Sequence, residues 1–341
     1  MRKLALDKLD AFFKEISKSQ ELYLPVKDRM SAAFGRYQEG TTYYEAPNTL
    51  RSAKDFFFPQ SETMARFRFA QKQIEVVDTR REHEDFVLFG VRPCDVASFR
   101  ILDTVFLADP VDTYYQMRRS HSTVISLSCT KPRSTCFCSL YGIDATKGGA
   151  DVDAWKCDDG YYFEANTEKG KKLLDDLGAL LEQADETKVE AQRAEVRKVL
   201  DKLPFGKLDM HKFGKNAKML ELFNASEWDE LSQSCLGCGT CTFVCPTCQC
   251  FDIRDFDAGK GNVQRYRCWA SCMYSDFTQM AAANPRRTQK ERFRQRFMHK
   301  LVYYPEEHQG VYGCVGCGRC LERCPIHMHI VKVIKTLGED A

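Results

Sequence analysis

The chain has 341 residues, enough for two or three domains, and 50 Lys and Arg against 48 Asp and Glu give a formal net charge of +2. A nearly neutral chain has no general field that would attract nucleic acid or a membrane surface. It contains no apolar run near the ~18 residues of a membrane span, and Asp7 and Asp10 interrupt any signal segment. We therefore expect a cytoplasmic protein without a membrane span.

The first part of the chain alternates predicted strands and helices, which is typical of an α/β domain. Strands are predicted at 21–26, 41–45, 85–89, 123–127 and 161–164, and helices at 4–17, 61–71, 95–107 and 167–203. Pro and Gly concentrate over residues 204–225, which predicts a domain boundary. We expect an N-terminal α/β domain over 1–220 and a second domain over 221–341.

Cysteine usage separates the two predicted domains. The chain has 17 cysteines, none before Cys94 and twelve between Cys235 and Cys324. A disulfide scaffold is typical of short secreted chains, so thiolate ligation of metal is the expected use here.

Two cysteine runs share the spacing C-x2-C-x2-C-x3-C-P. They consist of Cys235, Cys238, Cys241 and Cys245, and of Cys314, Cys317, Cys320 and Cys324. This is the bacterial ferredoxin spacing for [4Fe-4S] clusters, in which the fourth cysteine ligates the other cluster. Crossed ligation predicts one cluster on Cys235, Cys238, Cys241 and Cys324, and another on Cys314, Cys317, Cys320 and Cys245. Zinc ribbons are the alternative, but they usually lack a third cysteine at this spacing and the Cys-Pro pair.

The two runs are far apart, with 68 residues between Cys245 and Cys314. Residues 276–300 have a helical pattern, with Phe277, Met280 and Ala281 on one side. We therefore predict an α+β protein in which the α/β domain precedes a mostly helical dicluster ferredoxin-like domain, rather than a compact β-hairpin ferredoxin.

Four further cysteines follow two predicted strands of the first domain. Cys94 follows one strand, and Cys129, Cys136 and Cys138 follow another. If those strands are adjacent and parallel, both loops lie at one sheet edge, where such folds bind ligands. The four thiols then predict a third [4Fe-4S] cluster, with packing as small apolar residues as the alternative. Cys157 is isolated and is interpreted as a bystander.

Another group of cysteines lies between the two runs and consists of Cys248, Cys250, Cys268 and Cys272. They could bind an extra metal, form a thiol pair facing a cluster, or pack around the first cluster. The basic segment 285–300 contains Phe293 and Phe297 at i and i+4, which favours a helix anchored on the core over nucleic-acid binding. Its arginines then offset cluster charge or contact an acidic partner.

Nucleotide motifs are not found in the sequence. No G-x-G-x-x-G follows a strand and no G-x4-G-K-[ST] occurs, so we expect neither flavin nor nucleotide on this chain. Clusters without a substrate-site motif indicate electron transfer rather than substrate chemistry.

Several segments together resemble a known family. They are Gly90–Asp95, the loop of Cys129, Cys136 and Cys138, Cys245–Cys250, Trp269–Cys272 and Cys314–Cys320. Over roughly residues 85–330, the combination resembles the multi-[4Fe-4S] electron-transfer subunit of anaerobic sulfite reductase and the β subunit of cytosolic sulfhydrogenases. The resemblance implies several [4Fe-4S] clusters that pass electrons between a partner that binds FAD and NAD(P) and a separate catalytic subunit.

The expected function is therefore that of a cytoplasmic iron–sulfur subunit of an anaerobic multisubunit oxidoreductase, with no catalytic residue of its own. One alternative is a sulfur-substrate reductase that uses a thiol or extra cluster site near Cys248, Cys250 and Cys272. A second alternative, an iron–sulfur nucleic-acid-binding protein, depends only on residues 286–300.

Overall fold

The computed structural model describes residues 1–29, 31–70, 73–80 and 84–339. The chain forms two compact units, and neither is continuous in sequence. Unit 1 comprises Met1–Lys54, His83–Leu208 and Cys314–Arg319, and unit 2 comprises Asp55–Glu82, Asp209–Gly313 and Cys320–Ala341. This division differs from a single boundary at residue 220, because an early segment joins unit 2 and a late loop joins unit 1.

The strands and helices are numbered in chain order. The strands are β1 Arg2–Leu4, β2 Glu21–Asp28, β3 Ser31–Arg36, β4 Ser61–Ala70, β5 Gln73–Asp78, β6 Phe86–Val91, β7 Ser122–Leu127, β8 Val152–Cys157, β9 Gly160–Ala165, β10 Glu182–Gln183, β11 Phe251–Gly259 and β12 Asn262–Trp269. The helices are α1 Leu9–Ile16, α2 Pro93–Phe106, α3 Thr113–His121, α4 Glu168–Asp176, α5 Thr187–Leu200, α6 Met219–Asn224, α7 Trp228–Gln233, α8 Thr240–Phe243, α9 Gln289–Met298, α10 Tyr304–Glu307, α11 Arg319–Arg323 and α12 Ile330–Gly338. None of the described helices has the length and apolar character needed to cross a membrane.

Unit 1 is built on an eight-stranded mixed sheet in the order β10-β1-β9-β8-β7-β6-β2-β3. Neighbouring strands among β2, β6, β7 and β8 pair in parallel, and the outer pairs are antiparallel. The strands predicted near 21–26, 85–89, 123–127 and 161–164 are confirmed, whereas 41–45 is not a strand.

Burial explains why apolar and polar residues do not alternate along the central strands. Every residue of β6 and of β7 is buried, as expected for parallel strands with both faces covered. On one face, α1 packs Phe12 and Phe13 against Phe89, with ring centroids 6.3 and 4.8 Å from it. The helix predicted at 4–17 is shorter than expected, because Leu4 ends β1 and Leu6–Lys8 form a 3-10 turn before α1.

Unit 2 contains a four-stranded antiparallel sheet in the order β11-β12-β4-β5. The helix predicted at 61–71 is wrong: this segment is β4, and Phe67 pairs with Val263 of β12. The prediction of a mostly helical second domain is not confirmed. Of the helix predicted at 276–300 only α9 forms, beginning at a Thr288–Glu291 capping box and continuing as a π-helical turn over His299–Tyr303.

Candidate functional site

The loops after β6 and β7 lie at the same edge of the unit 1 sheet, because these strands are parallel neighbours. Cys94 follows β6 and Cys129 follows β7. Pro93 occupies the first turn of α2, a position that suits its fixed φ. Cys94 therefore lies at a helix N-terminus, where the backbone N–H groups favour a thiolate.

Cys136 and Cys138 join this edge. Cys138 packs in one cluster with Cys94 and Cys129. Burial, followed by the charge of Cys129, raises the pKa of Cys136 and of Cys138 to about 12. Burial also raises the pKa of Cys94 well above its usual value. Since a metal requires thiolates, binding at this group would release protons.

The loop of the second run, Cys314–Arg319, packs on the same group within unit 1. The Phe137 amide donates to Gly316 O at 2.8 Å, and Cys136 Sγ lies 3.8 Å from Cys317 O. A Cβ at Gly318 would lie 2.6 Å from Thr135 O, so only glycine permits this approach of the two backbones. The sequence assigned this loop to the second domain and gave no indication of the contact.

A buried ion pair fixes the end of that loop. Arg319 donates to both carboxylate oxygens of Asp95, at 2.6 and 2.7 Å, and its Nε donates to Thr49 O at 2.8 Å. Both side chains are 2% exposed. Burial alone would lower the pKa of Arg319, but Asp95 and Cys317 raise it well above its usual value. The helix predicted from residue 95 begins two residues earlier, at Pro93, and the Asp95 carboxylate binds Arg319.

The first run forms a separate site within unit 2. Cys235, Cys238, Cys241 and Cys324 together line one small cavity. Two of the sulfurs accept hydrogen bonds at 3.2 Å, Cys235 Sγ from Gln289 Nε2 and Cys324 Sγ from the Met328 amide. Hydrogen bonds of this kind tune iron–sulfur clusters. Cys238 is exposed, and hydrogen bonds with Thr240 lower its pKa.

Cys245 and Cys320 lie in unit 2, whereas Cys314 and Cys317 lie in unit 1. Cys245 is buried, and a hydrogen bond from the Cys248 thiol holds its pKa well below the usual value. Burial would lower the pKa of Arg296, but Cys241, Cys320 and further thiols nearby raise it well above the usual value.

Arg296 provides a test of whether the residues fit an iron–sulfur cluster. Its side chain is buried, and Nη2 donates to Cys241 O at 3.2 Å. Its Nε and Nη1 have no hydrogen-bond partner among the described residues. A buried cation requires compensating negative charge, and the surrounding thiols supply it once they bind a cluster as thiolates. The donor set therefore fits the group.

The other cysteines divide into two kinds. Cys248, Cys250 and Cys272 lie together with the first run in unit 2, and they affect one another's pKa. Cys268 lies beside Arg254 instead. Cys157 ends β8, where its thiol donates to Lys188 O at 3.7 Å. Among the described residues, no group of three His, Cys, Asp or Glu side chains is arranged around a single metal ion.

One face of α9 anchors the basic segment in the core. Phe293 and Phe297 are each 1% exposed, with ring centroids 4.7 Å apart, which confirms the predicted anchoring. Sequence patterning identified the arginines as charge compensation without singling out Arg296, and it missed Arg319. A buried partner many residues away leaves no local signal for such residues.

Comparison with known proteins gives two matches. A family of 4Fe-4S dicluster domains matches residues 234–328, which contain both cysteine runs and support two [4Fe-4S] clusters. The chain is also 30% identical to sulfhydrogenase 2 subunit beta of Pyrococcus furiosus, over 99% of this chain and 98% of that protein.

Proposed function

The chain belongs to the sulfhydrogenase beta-subunit family, and on that premise we propose that it passes electrons from an FAD- and NAD(P)-binding subunit to a separate catalytic subunit, or in the reverse direction. It is an iron–sulfur electron-transfer subunit of a multisubunit complex. The bound clusters supply one-electron transfer, and the residues of this chain hold them, set their surroundings and exclude water.

The cavity of the first run carries the proposal. Three of its thiols come from one run, and the fourth, Cys324, ends the other. This arrangement supports crossed ligation of the first cluster. Clusters that exchange ligands in this way lie close together, as an electron carrier requires.

The group at the sheet edge of unit 1 supports a third [4Fe-4S] cluster on Cys94, Cys129, Cys136 and Cys138. The helix N-terminus at Cys94 and the buried Arg92 guanidinium both favour negative charge there. Arg92 donates to Leu127 O and Ser128 O at 3.2 and 2.7 Å, and its charge opposes the rise that burial causes in the pKa of Cys129.

Crossed ligation is tested by EPR spectroscopy of the anaerobically purified complex. Cys324→Ser should alter the same cluster as Cys238→Ser, and Cys317→Ser should alter a different one. Transfer from NAD(P)H to the catalytic subunit should fall at least tenfold in Cys324→Ser, while reduction of an artificial dye by the flavin subunit persists. Cys157→Ser is the matched control. Spectra in which Cys324→Ser and Cys317→Ser share a cluster would contradict crossed ligation, and intact physiological transfer would contradict the function.

The third cluster is tested by iron and sulfide content. Three cubane clusters bring about twelve irons per chain. The double variant Cys136→Ser/Cys138→Ser should lose about four of them, whereas Cys157→Ser should keep all. An equal iron content in the double variant and the wild-type chain would contradict the third cluster but not the dicluster function.

A further inference from the structure

The base of the β11–β12 hairpin brings three cysteines together. Cys250 immediately precedes β11 and Cys272 lies three residues after β12. Phe251 is paired with Trp269, and the Ala270 amide donates to Cys250 O at 3.0 Å. The antiparallel pairing therefore places the Cys250 segment beside the turn that carries Cys272, and their thiols hydrogen-bond.

That turn is fixed to the first run. Ser271 is fully buried, and its Oγ accepts hydrogen bonds from Thr242 Oγ1 at 2.8 Å and from the Met273 amide at 3.1 Å. Thr242 belongs to α8, the short helix that follows Cys238. Cys272 consequently stands close enough to Cys241 to affect its pKa. On the other side, Cys248 hydrogen-bonds to Cys245.

Two buried cations face these thiols. Arg296, with its two unpartnered nitrogens, is 2% exposed, and Lys300 is 5% exposed. Lys300 Nζ donates to Thr247 Oγ1 at 2.7 Å and to Gly313 O at 2.8 Å. Both positive charges oppose the rise in pKa that the neighbouring thiols and burial cause at Cys248 and Cys272. Because each charge is costly to bury alone, this pair indicates a strongly anionic site that extends beyond the ferredoxin thiols.

We propose that Cys248, Cys250 and Cys272 bind an additional iron–sulfur centre, separate from the clusters of the two ferredoxin runs and from that of the unit 1 sheet edge. This inference rests on the proposed function. Among the proposed ligands, the thiols of Cys250 and Cys272 are paired by a hydrogen bond, and Cys248 lies close enough to Cys250 to affect its pKa. Paired thiols suit sulfide-bridged irons, whereas a single zinc requires all its ligands around one point.

The position of the proposed centre indicates a role in electron transfer. Cys248 contacts Cys245, and Cys272 lies near Cys241, so the centre is adjacent to ligands of the ferredoxin clusters. An electron carrier at this place exchanges electrons with them directly. Trp269 and Phe243, with ring centroids 6.0 Å apart, cover this part of unit 2 with aromatic surface.

The hairpin also contains a matched control. Cys268 of β12 is paired with Asp252 of β11. The neighbours of Cys268 along the strand, Arg267 and Trp269, are 1% and 9% exposed. Successive strand residues point to opposite faces, so Cys268 lies on the face away from that buried pair. Cys268→Ser therefore changes the same residue type in the same hairpin without touching the proposed ligands.

The test uses the full chain, purified anaerobically after reconstitution with iron and sulfide alone. Iron, zinc and acid-labile sulfide per chain, with Mössbauer spectra, are compared for the wild-type chain and for Cys248→Ser, Cys250→Ser, Cys272→Ser and Cys268→Ser. We expect the first three variants to lose the same spectral component and at least two irons each, and Cys268→Ser to lose none. Cys238→Ser, measured in parallel, should lose a different component.

Unchanged iron in Cys250→Ser and Cys272→Ser would overturn the proposal, as would zinc at this site or a Cys250–Cys272 disulfide in the anaerobic wild-type chain. Equal iron loss in Cys268→Ser would show a structural effect of the hairpin and would also overturn it. Failure of the proposed function is distinguishable, because it would appear as the absence of any Cys238-dependent component from the wild-type spectrum, whatever the hairpin variants show.

Discussion

The two cysteine runs have the same spacing but different surroundings. In the first run, Cys238 is exposed, and the atoms nearest to a Cβ at the following Gly239 belong to the side chain of Tyr274. In the second run, Cys317 is buried, and a Cβ at the following Gly318 would meet the backbone of Thr135. Spacing therefore sets the number of thiolates, while burial and hydrogen bonding set the potential and the access of water. We expect the second run to tolerate substitution far less than the first.

The largest expected effect comes from removing the ion pair beside the second run. Arg319→Leu leaves Asp95 buried without its partner, which should destabilise the chain by about 3–5 kcal/mol. Urea unfolding of the anaerobically purified chain, followed by tryptophan fluorescence, measures this change. Arg323→Leu is the control, since Arg323 is exposed and the change should stay within about 0.5 kcal/mol. Equal midpoints for the two variants would contradict the importance of the pair.

The matched glycines give the next effect. Gly239 and Gly318 have φ values of +74° and +76°, so alanine is strained in both. In Gly318→Ala the added Cβ also lies too close to Thr135 O, a backbone atom that cannot rotate away. In Gly239→Ala the added Cβ lies close to the Tyr274 ring, which can rotate. Gly318→Ala should therefore be less stable than Gly239→Ala by about 1–3 kcal/mol, measured as the difference in urea midpoint and iron retention. The reverse order would show that burial does not distinguish the two runs.

The smallest effect is a pH dependence confined to unit 2. Burial, followed by the charge of Lys300, lowers the pKa of His299 from 6.5 to about 4. The unfolded chain then binds the proton more readily, so stability is complete above pH 6.5 and declines as the pH falls toward 4. Between pH 7 and pH 5 the loss should be about 1–2 kcal/mol.

His299→Gln should remove that part of the acid sensitivity, whereas substitution of the exposed His211 should leave it in place. Urea midpoints at pH 7 and pH 5 for both variants measure it. An acid sensitivity unchanged in His299→Gln would mean that another group is responsible.

Local patterns predicted part of this molecule well. The runs Phe86–Val91 and Ser122–Leu127 are strands because most of their residues are β-branched, aromatic or small and all are buried. The spacing of the cysteine runs identified the dicluster domain, and the strand ends after β6 and β7 indicated which loops would meet.

Other features depend on distant residues. Ser61–Ala70 is a strand that pairs with the neighbouring β5 and with β12, about two hundred residues later, and the second pairing has no local signal. In the same way, Cys250 and Cys272 meet only because the hairpin between them forms. The buried pair Arg267 and Glu62, which joins β12 to β4, belongs to the same class of contact.

Arg319 and its loop also have a consequence for biosynthesis. Asp95 leaves the ribosome 224 residues before Arg319, its partner in unit 1. At ordinary rates of translation this interval lasts on the order of ten seconds or more. During that time the thiols at the sheet edge lack the loop that later packs on them. Unit 1 therefore completes its structure only when almost the whole chain has been made, and a nascent chain that stops before residue 314 lacks part of its first unit.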